Sequence, residues 1–213
     1  MLICLGDSHS SVFSFEEKIV PQWPEKDYHL FSKFKPIRIG PATAFNLNNK
    51  VNLLNKILNR TLYFSKDYVM FCFGEVDIRA HILKQSKLQK KDTSLIVKEC
   101  VDRYIAAVTK VKPIRKLNKA IFAPIASWNV DKPYDGPSFG TNLERNKVTK
   151  IFNDYLENKC FEYNLVFVSI FEEMLNIDGT TNSIYLDDFG TGIHLSQRSM
   201  PLILKKLAVK DLI

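Results

Sequence analysis

Short continuous apolar runs alternate along this chain with longer stretches in which apolar residues recur every three or four positions. Leu2 to Leu5 is an uninterrupted run ended by Gly6, and Tyr68 to Phe73 is aromatic-rich and ended by Gly74. Runs of this length, bounded by turn residues, read as strands buried on both faces. Ala120 to Ile125 and Leu165 to Ile170 repeat the pattern, and Lys35 to Ile39 is a weaker copy ending at Gly40-Pro41. Between them, Thr43 to Leu58 places Ala44, Leu47, Val51, Leu54 and Leu58 at helical spacing. Thr93 to Leu117 is also helical, with Pro113 expected to break or kink its last part. Asn142 to Cys160 and Ser196 to Leu207 complete the helices, the latter with Pro201 near its first turn.

Strands alternating with helices imply βαβ units and a mainly parallel sheet covered on both faces. The expected fold is a three-layer α/β sandwich with five strands, formed as a single domain over residues 1–213. Parallel sheets of this kind bind ligands beyond the carboxyl ends of their strands, so chemistry is sought in the polar clusters that follow strands. Two long segments without periodicity, Trp128 to Thr141 and Asn176 to Gly192, are candidates for the rim of a site.

Composition narrows the classes. With 213 residues, 46% hydrophobic and 25% charged, the chain is long enough for a core and is neither collagenous nor low-complexity. No apolar run approaches the roughly 20 residues a bilayer requires, so no transmembrane segment is expected. The start, Met1 to Asp7, lacks a basic region and has too short an apolar run for an export signal. The four cysteines show no CxxC or Cys/His ligand spacing, which suits buried thiols in a reducing, cytoplasmic setting; no metal is implied. The net charge of +7 comes largely from Lys84 to Lys91 and Lys110 to Lys119. Lysines three or four apart read as solvated helix faces, and no nucleic-acid-binding pattern accompanies them, so no specific nucleic-acid partner is expected.

Three polar clusters carry candidate chemistry: Gly6-Asp7-Ser8-His9-Ser10 after the first strand, Gly74 to His81 after the aromatic strand, and Asp187 to Ser196 before the last helix. A serine on a tight strand-to-helix turn is a plausible nucleophile if a base takes its proton. His194 suits the base, and Asp188 or Asp187 suits the carboxylate that orients it, Asp188 being the nearer in sequence. His9, beside the nucleophile, and His29, in an apolar-aromatic stretch, are less suited to that role. Asp7, Glu75, Asp77 and Arg79 are candidates for binding substrate, with Arg79 offering a bidentate fork. Their structural alternatives are a helix cap for Asp7 and the i,i+4 pairs Glu75–Arg79 and Asp77–His81.

Taken together, GDSHS, the Gly40 loop (IGPATAF), GEVD and the late GIHLS resemble the SGNH/GDSL hydrolases over nearly the whole chain. The resemblance implies a flavodoxin-like fold, Ser8 as nucleophile, His194 as base, and the backbone N–H groups of Ser8 and Gly40 as oxyanion donors. It implies no cofactor. GEVDIRAH is similar to a subset associated with surface glycans, which points to a serine esterase or O-acyl transferase acting on a carbohydrate ester, acetyl foremost. Two positions depart from the family. Val76 stands where an asparagine donor is usual, and Thr191 stands three residues before the histidine, where the aspartate is usual, as if Phe189-Gly190-Thr191 were inserted. The alternative these departures favour is a glycan-binding or scaffolding domain without catalysis.

Overall fold

The structure, a computed structural model, describes residues 1–25, 32–128, 138–187 and 192–213. Five strands form one sheet: β1 (Leu2–Gly6), β2 (Phe34–Arg38), β3 (Tyr68–Cys72), β4 (Asn118–Phe122) and β5 (Val166–Val168). All four pairings are parallel and the spatial order is β2-β1-β3-β4-β5. This is the doubly wound order of the flavodoxin-like sheet.

The continuous apolar runs are explained by burial on both faces. Ile3, Leu5, Val69, Phe71 and Ile121 point into one core with Leu54, Leu58, Val97, Tyr104, Phe152 and Leu156. These last residues come from α1 (Val51–Arg60), α3 (Thr93–Lys110) and α4 (Asn142–Glu162). The alternate residues Leu2, Cys4, Met70, Cys72, Ala120 and Phe122 face a second core with Phe13, Met174, Ile203 and Leu207. That layer is built from α5 (Met200–Val209) and a 3-10 turn at Ser8–Ser14. The short α2 (Leu83–Gln89) continues a π-helical turn, Asp77–Ile82, that leaves the end of β3. All four cysteines are free and buried. Among the described residues no helix is long and apolar enough to cross a membrane.

Three boundaries differ from the sequence expectation, each for a local reason. The helix expected from Thr43 begins as a 3-10 turn at Leu47 and as α1 only at Val51. Ala44 and Phe45 instead direct their N–H groups to the Asp77 carboxylate, at 2.6 and 3.2 Å. α3 stops at Lys110, three residues ahead of Pro113, because the residue before a proline is pushed out of helical geometry and cannot continue the run to Leu117. The helical segment after Gly74 is partly π, which the spacing did not reveal. Most of the Trp128–Thr141 segment, His29 and residues 188–191 lie outside the described residues.

Candidate active site

Because every strand is parallel, the chain leaves β1, β2 and β3 at the same edge of the sheet, and the three following segments converge there. Gly6 ends β1 in contact with its neighbour: a Cβ at this position would lie 2.5 Å from the Cys72 carbonyl oxygen and 2.8 Å from Cys72 Cβ. The backbone then turns sharply. Asp7 caps the Ser8–Ser14 turn, its Oδ1 accepting the His9 N–H at 2.9 Å, and its carbonyl accepts the Ser10 Oγ at 2.9 Å. Ser8 is left half-exposed on a turn whose remaining residues are buried.

The last cluster approaches from the opposite end of the chain. Asp187 and His194 sit across from each other on a short antiparallel bridge between Leu186 and Leu195. The Asp187 N–H donates to the His194 carbonyl at 2.8 Å, and the Ser196 N–H donates to the Tyr185 carbonyl at 2.9 Å. This ladder brings the Asp187 Oδ2 to 3.3 Å from His194 Nδ1, and His194 Nε2 to 2.8 Å from Ser8 Oγ. Asp187 Oδ1 has no hydrogen-bond partner among the described residues. Serine, histidine and a carboxylate therefore stand in line. Among the described residues the carboxylate in contact is Asp187; Asp188, favoured by proximity in sequence, lies outside them. The seven-residue separation is bridged by the backbone pairing at Leu186 and Leu195.

Gly40 follows β2 with φ +84°, and a Cβ there would meet the Gln22 side chain as well as an unfavourable backbone. Val76 is half-buried at the first turn after Gly74 and carries no polar side chain.

The four residues proposed to bind substrate behave differently from one another. Asp77 is 1% exposed and holds the loop after Gly40 through Ala44 and Phe45, with the Cys100 thiol also on its carboxylate at 3.6 Å. Burial pushes its carboxyl up to about 6 in spite of those donors. Both oxygens are thus taken by the fold, and the Asp77–His81 pairing is replaced by these contacts. Glu75 and Arg79 form the i,i+4 pair at 2.7 Å, and both are buried. Asp7 caps the Ser8–Ser14 turn and is buried as well.

His9, less suited by its sequence position to act as the base, lies at the centre of these groups. Its Nδ1 is 3.0 Å from Asp7 Oδ1, its Nε2 is 3.7 Å from Glu75 Oε2, and its ring centroid is 4.9 Å from that of His194. Burial alone would lower the proton affinity of the ring. The Glu75 and Asp7 carboxylates outweigh burial, with Arg79 opposing them, and hold the imidazolium up to about 9. A histidine following the serine of a tight turn, with carboxylates at the ends of two adjacent strands, was the available signal. Among the described residues no group of three or more His, Cys, Asp and Glu is arranged to hold a metal ion.

A cavity of about 280 Å³ adjoins the site, lined by His9, Val12, Ile19, Asp187, His194 and Leu195 among others.

No protein-family model matches the sequence, and no curated protein is significantly similar to it. Solved structures do match. Est24, a carbohydrate acetylesterase of Sinorhizobium meliloti, aligns with a TM-score of 0.54 at 14% identity, covering 100% of this chain and 99% of its own. A member of the lipolytic G-D-S-L family from Veillonella parvula aligns at 0.51 and 14%, covering 98% and 96%. An aryl esterase of M. smegmatis aligns at 0.52 and 15%, covering 100% and 99%. These proteins and this chain share one fold.

Proposed function

We propose that this protein is a serine esterase that cleaves or transfers the acyl group of a carbohydrate ester, acetyl foremost. The observation that carries the reading is the Ser8–His194–Asp187 line, with contacts of 2.8 and 3.3 Å at the carboxyl edge of the sheet. In the acylation step His194 Nε2 takes the Ser8 Oγ proton as Oγ bonds to the acyl carbon. The resulting oxyanion is held by the backbone N–H groups of Ser8 and Gly40. Collapse expels the sugar hydroxyl, which leaves with the proton from His194. Water, or an acceptor hydroxyl in the transferase variant, then attacks the acyl-serine by the same proton path in reverse. Asp187 accepts from His194 Nδ1–H throughout, fixing the tautomer and stabilising the imidazolium. None of these steps uses a cofactor.

Val76 leaves the oxyanion without the side-chain donor that the family resemblance leads one to expect, a deficit worth about two to three powers of ten in rate. Activity below that of a fully equipped site follows. The carbohydrate preference is supported by the GEVDIRAH resemblance and by the fold shared with a carbohydrate acetylesterase. Four buried free thiols suit a reducing compartment, so a cytoplasmic location is part of the proposal.

The test is hydrolysis of a chromogenic acetyl ester and of acetylated sugars by the wild type beside Ser8→Ala. Turnover by the wild type, abolished in Ser8→Ala, is the expected result. Equal rates in both, or none in either, would leave the non-catalytic domain suggested by Val76 and Thr191.

A further inference from the structure

We infer that His9 is a positioning residue of this site: its ring clamps the turn that carries Ser8 to the segment after β3 and supports the face of the His194 imidazole. The inference rests on the roles proposed for Ser8 and His194.

Ser8 lies between two residues whose side chains are bonded to each other. Asp7 Oδ1 receives both the His9 backbone N–H at 2.9 Å and the His9 Nδ1 at 3.0 Å. The two contacts close a small ring around the Ser8 backbone and restrict where its Oγ can point. On the other side, His9 Nε2 faces Glu75 Oε2 at 3.7 Å, and Glu75 Oε1 is in turn held by Arg79 Nε at 2.7 Å. Glu75 follows β3, the parallel neighbour of β1. His9 therefore ties together the two strand ends between which the site opens, and its ring lies 4.9 Å from that of His194, tilted by 41°.

Carboxylates at both ring nitrogens select a protonation state. The Nδ1–Asp7 contact is a hydrogen bond, whereas Nε2 and Glu75 Oε2, 3.7 Å apart, share none, so Glu75 favours the cation by charge. The groups facing His9 are Asp7 at the end of β1, Cys72 on β3, Glu75 and Arg79 after it, and Asp187 and His194 from the C-terminal loop. At the rim of the shared cavity stand Glu16 and Lys18, paired with each other, and Glu17, whose carboxylate accepts the Gln197 N–H at 2.7 Å. Asp7, His9, Glu75 and Arg79 alternate in sign and sum to zero. A cation beside His194 would otherwise oppose the charge that His194 acquires during acylation; within this group it is balanced. Losing the His9 proton breaks the clamp at Glu75 and leaves an excess negative charge behind Ser8.

Two measurements test the clamp. Ring-nitrogen NMR titration of the wild type should show His9 protonated at both nitrogens at pH 8, losing a proton near pH 9. A neutral His9 at pH 7 would overturn the inference, whatever the enzymatic result. In kinetics on a chromogenic acetyl ester, His9→Gln should lower kcat by about tenfold to a hundredfold with KM nearly unchanged. The wild-type rate should fall above pH 9, and His9→Gln should lack that alkaline limb. Unaltered kcat and pH profile, or a loss confined to KM, would contradict a positioning role. If the wild type proves inactive on esters, the esterase reading fails while the titration still decides whether the clamp exists.

Discussion

Individual residues divide into those that a motif reveals and those that only the third dimension reveals. Ser8 and His194 were readable because each lies in a short polar cluster at a predictable distance from an element. The carboxylate that meets His194 was not, since two adjacent aspartates precede the histidine and the backbone bridge at Leu186 and Leu195, which brings Asp187 to the ring, leaves no pattern in the sequence. Replacing Asp187 by Asn should cut the rate of Ser8 acylation by up to about four powers of ten with little loss of stability, by the logic of triad aspartates. Stopped-flow acylation and thermal unfolding of the variant would measure both. The surroundings of His9 are not legible in the sequence, because its partner Glu75 comes near only when β1 and β3 lie side by side. Its raised proton affinity also enters stability. A folded-state value near 9 against an ordinary 6.5 means the contribution is fully present below pH 6.5 and disappears as pH rises through 9. The stability difference between wild type and His9→Gln should therefore shrink by up to about 3 kcal/mol across that window, read by urea unfolding at several pH values.

At the level of elements, the apolar runs located all five strands within a few residues, because burial on both faces leaves them few polar positions. Helix ends were less legible, as the Asp77 contacts to Ala44 and Phe45 show: they depend on a residue more than thirty positions away. A second long-range network was invisible for the same reason. Arg145, in the second turn of α4, donates to the Ser127 Oγ at 2.7 Å and to the Trp128 carbonyl at 2.9 Å, and also reaches the Gly140 carbonyl. Asn142 and Asn146 bind the same loop and Thr181. In sequence these residues look like the polar face of an amphipathic helix. In the fold they are buried and fasten the chain after β4 to α4. Arg145→Ala strips several buried acceptors of a charged donor and should cost about 3 kcal/mol of stability, measurable by chemical denaturation. A cost within a few tenths of a kcal/mol would show that the network is replaceable by solvent.

For the whole molecule, the order β2-β1-β3-β4-β5 explains why so few residues can make a site. The chain moves from β1 outwards to β2 and then returns to the other side of β1 to lay down β3. The switch point between β1 and β3 is where the segments after the two strands diverge and leave a crevice. Asp7, Ser8 and His9 enter it from one side and Glu75 from the other, and His194 reaches across to Ser8. Strand–cluster order predicted this convergence from sequence; the pairings made within it had to be seen. The central claim is that Ser8 is the nucleophile activated by His194. Its most direct measurement is intact-protein mass spectrometry after reaction with a fluorophosphonate, followed by peptide mapping of the adduct. The account predicts a single adduct on Ser8, absent in Ser8→Ala and strongly slowed in His194→Ala. No adduct on the wild type, or an adduct that persists in Ser8→Ala, would contradict it.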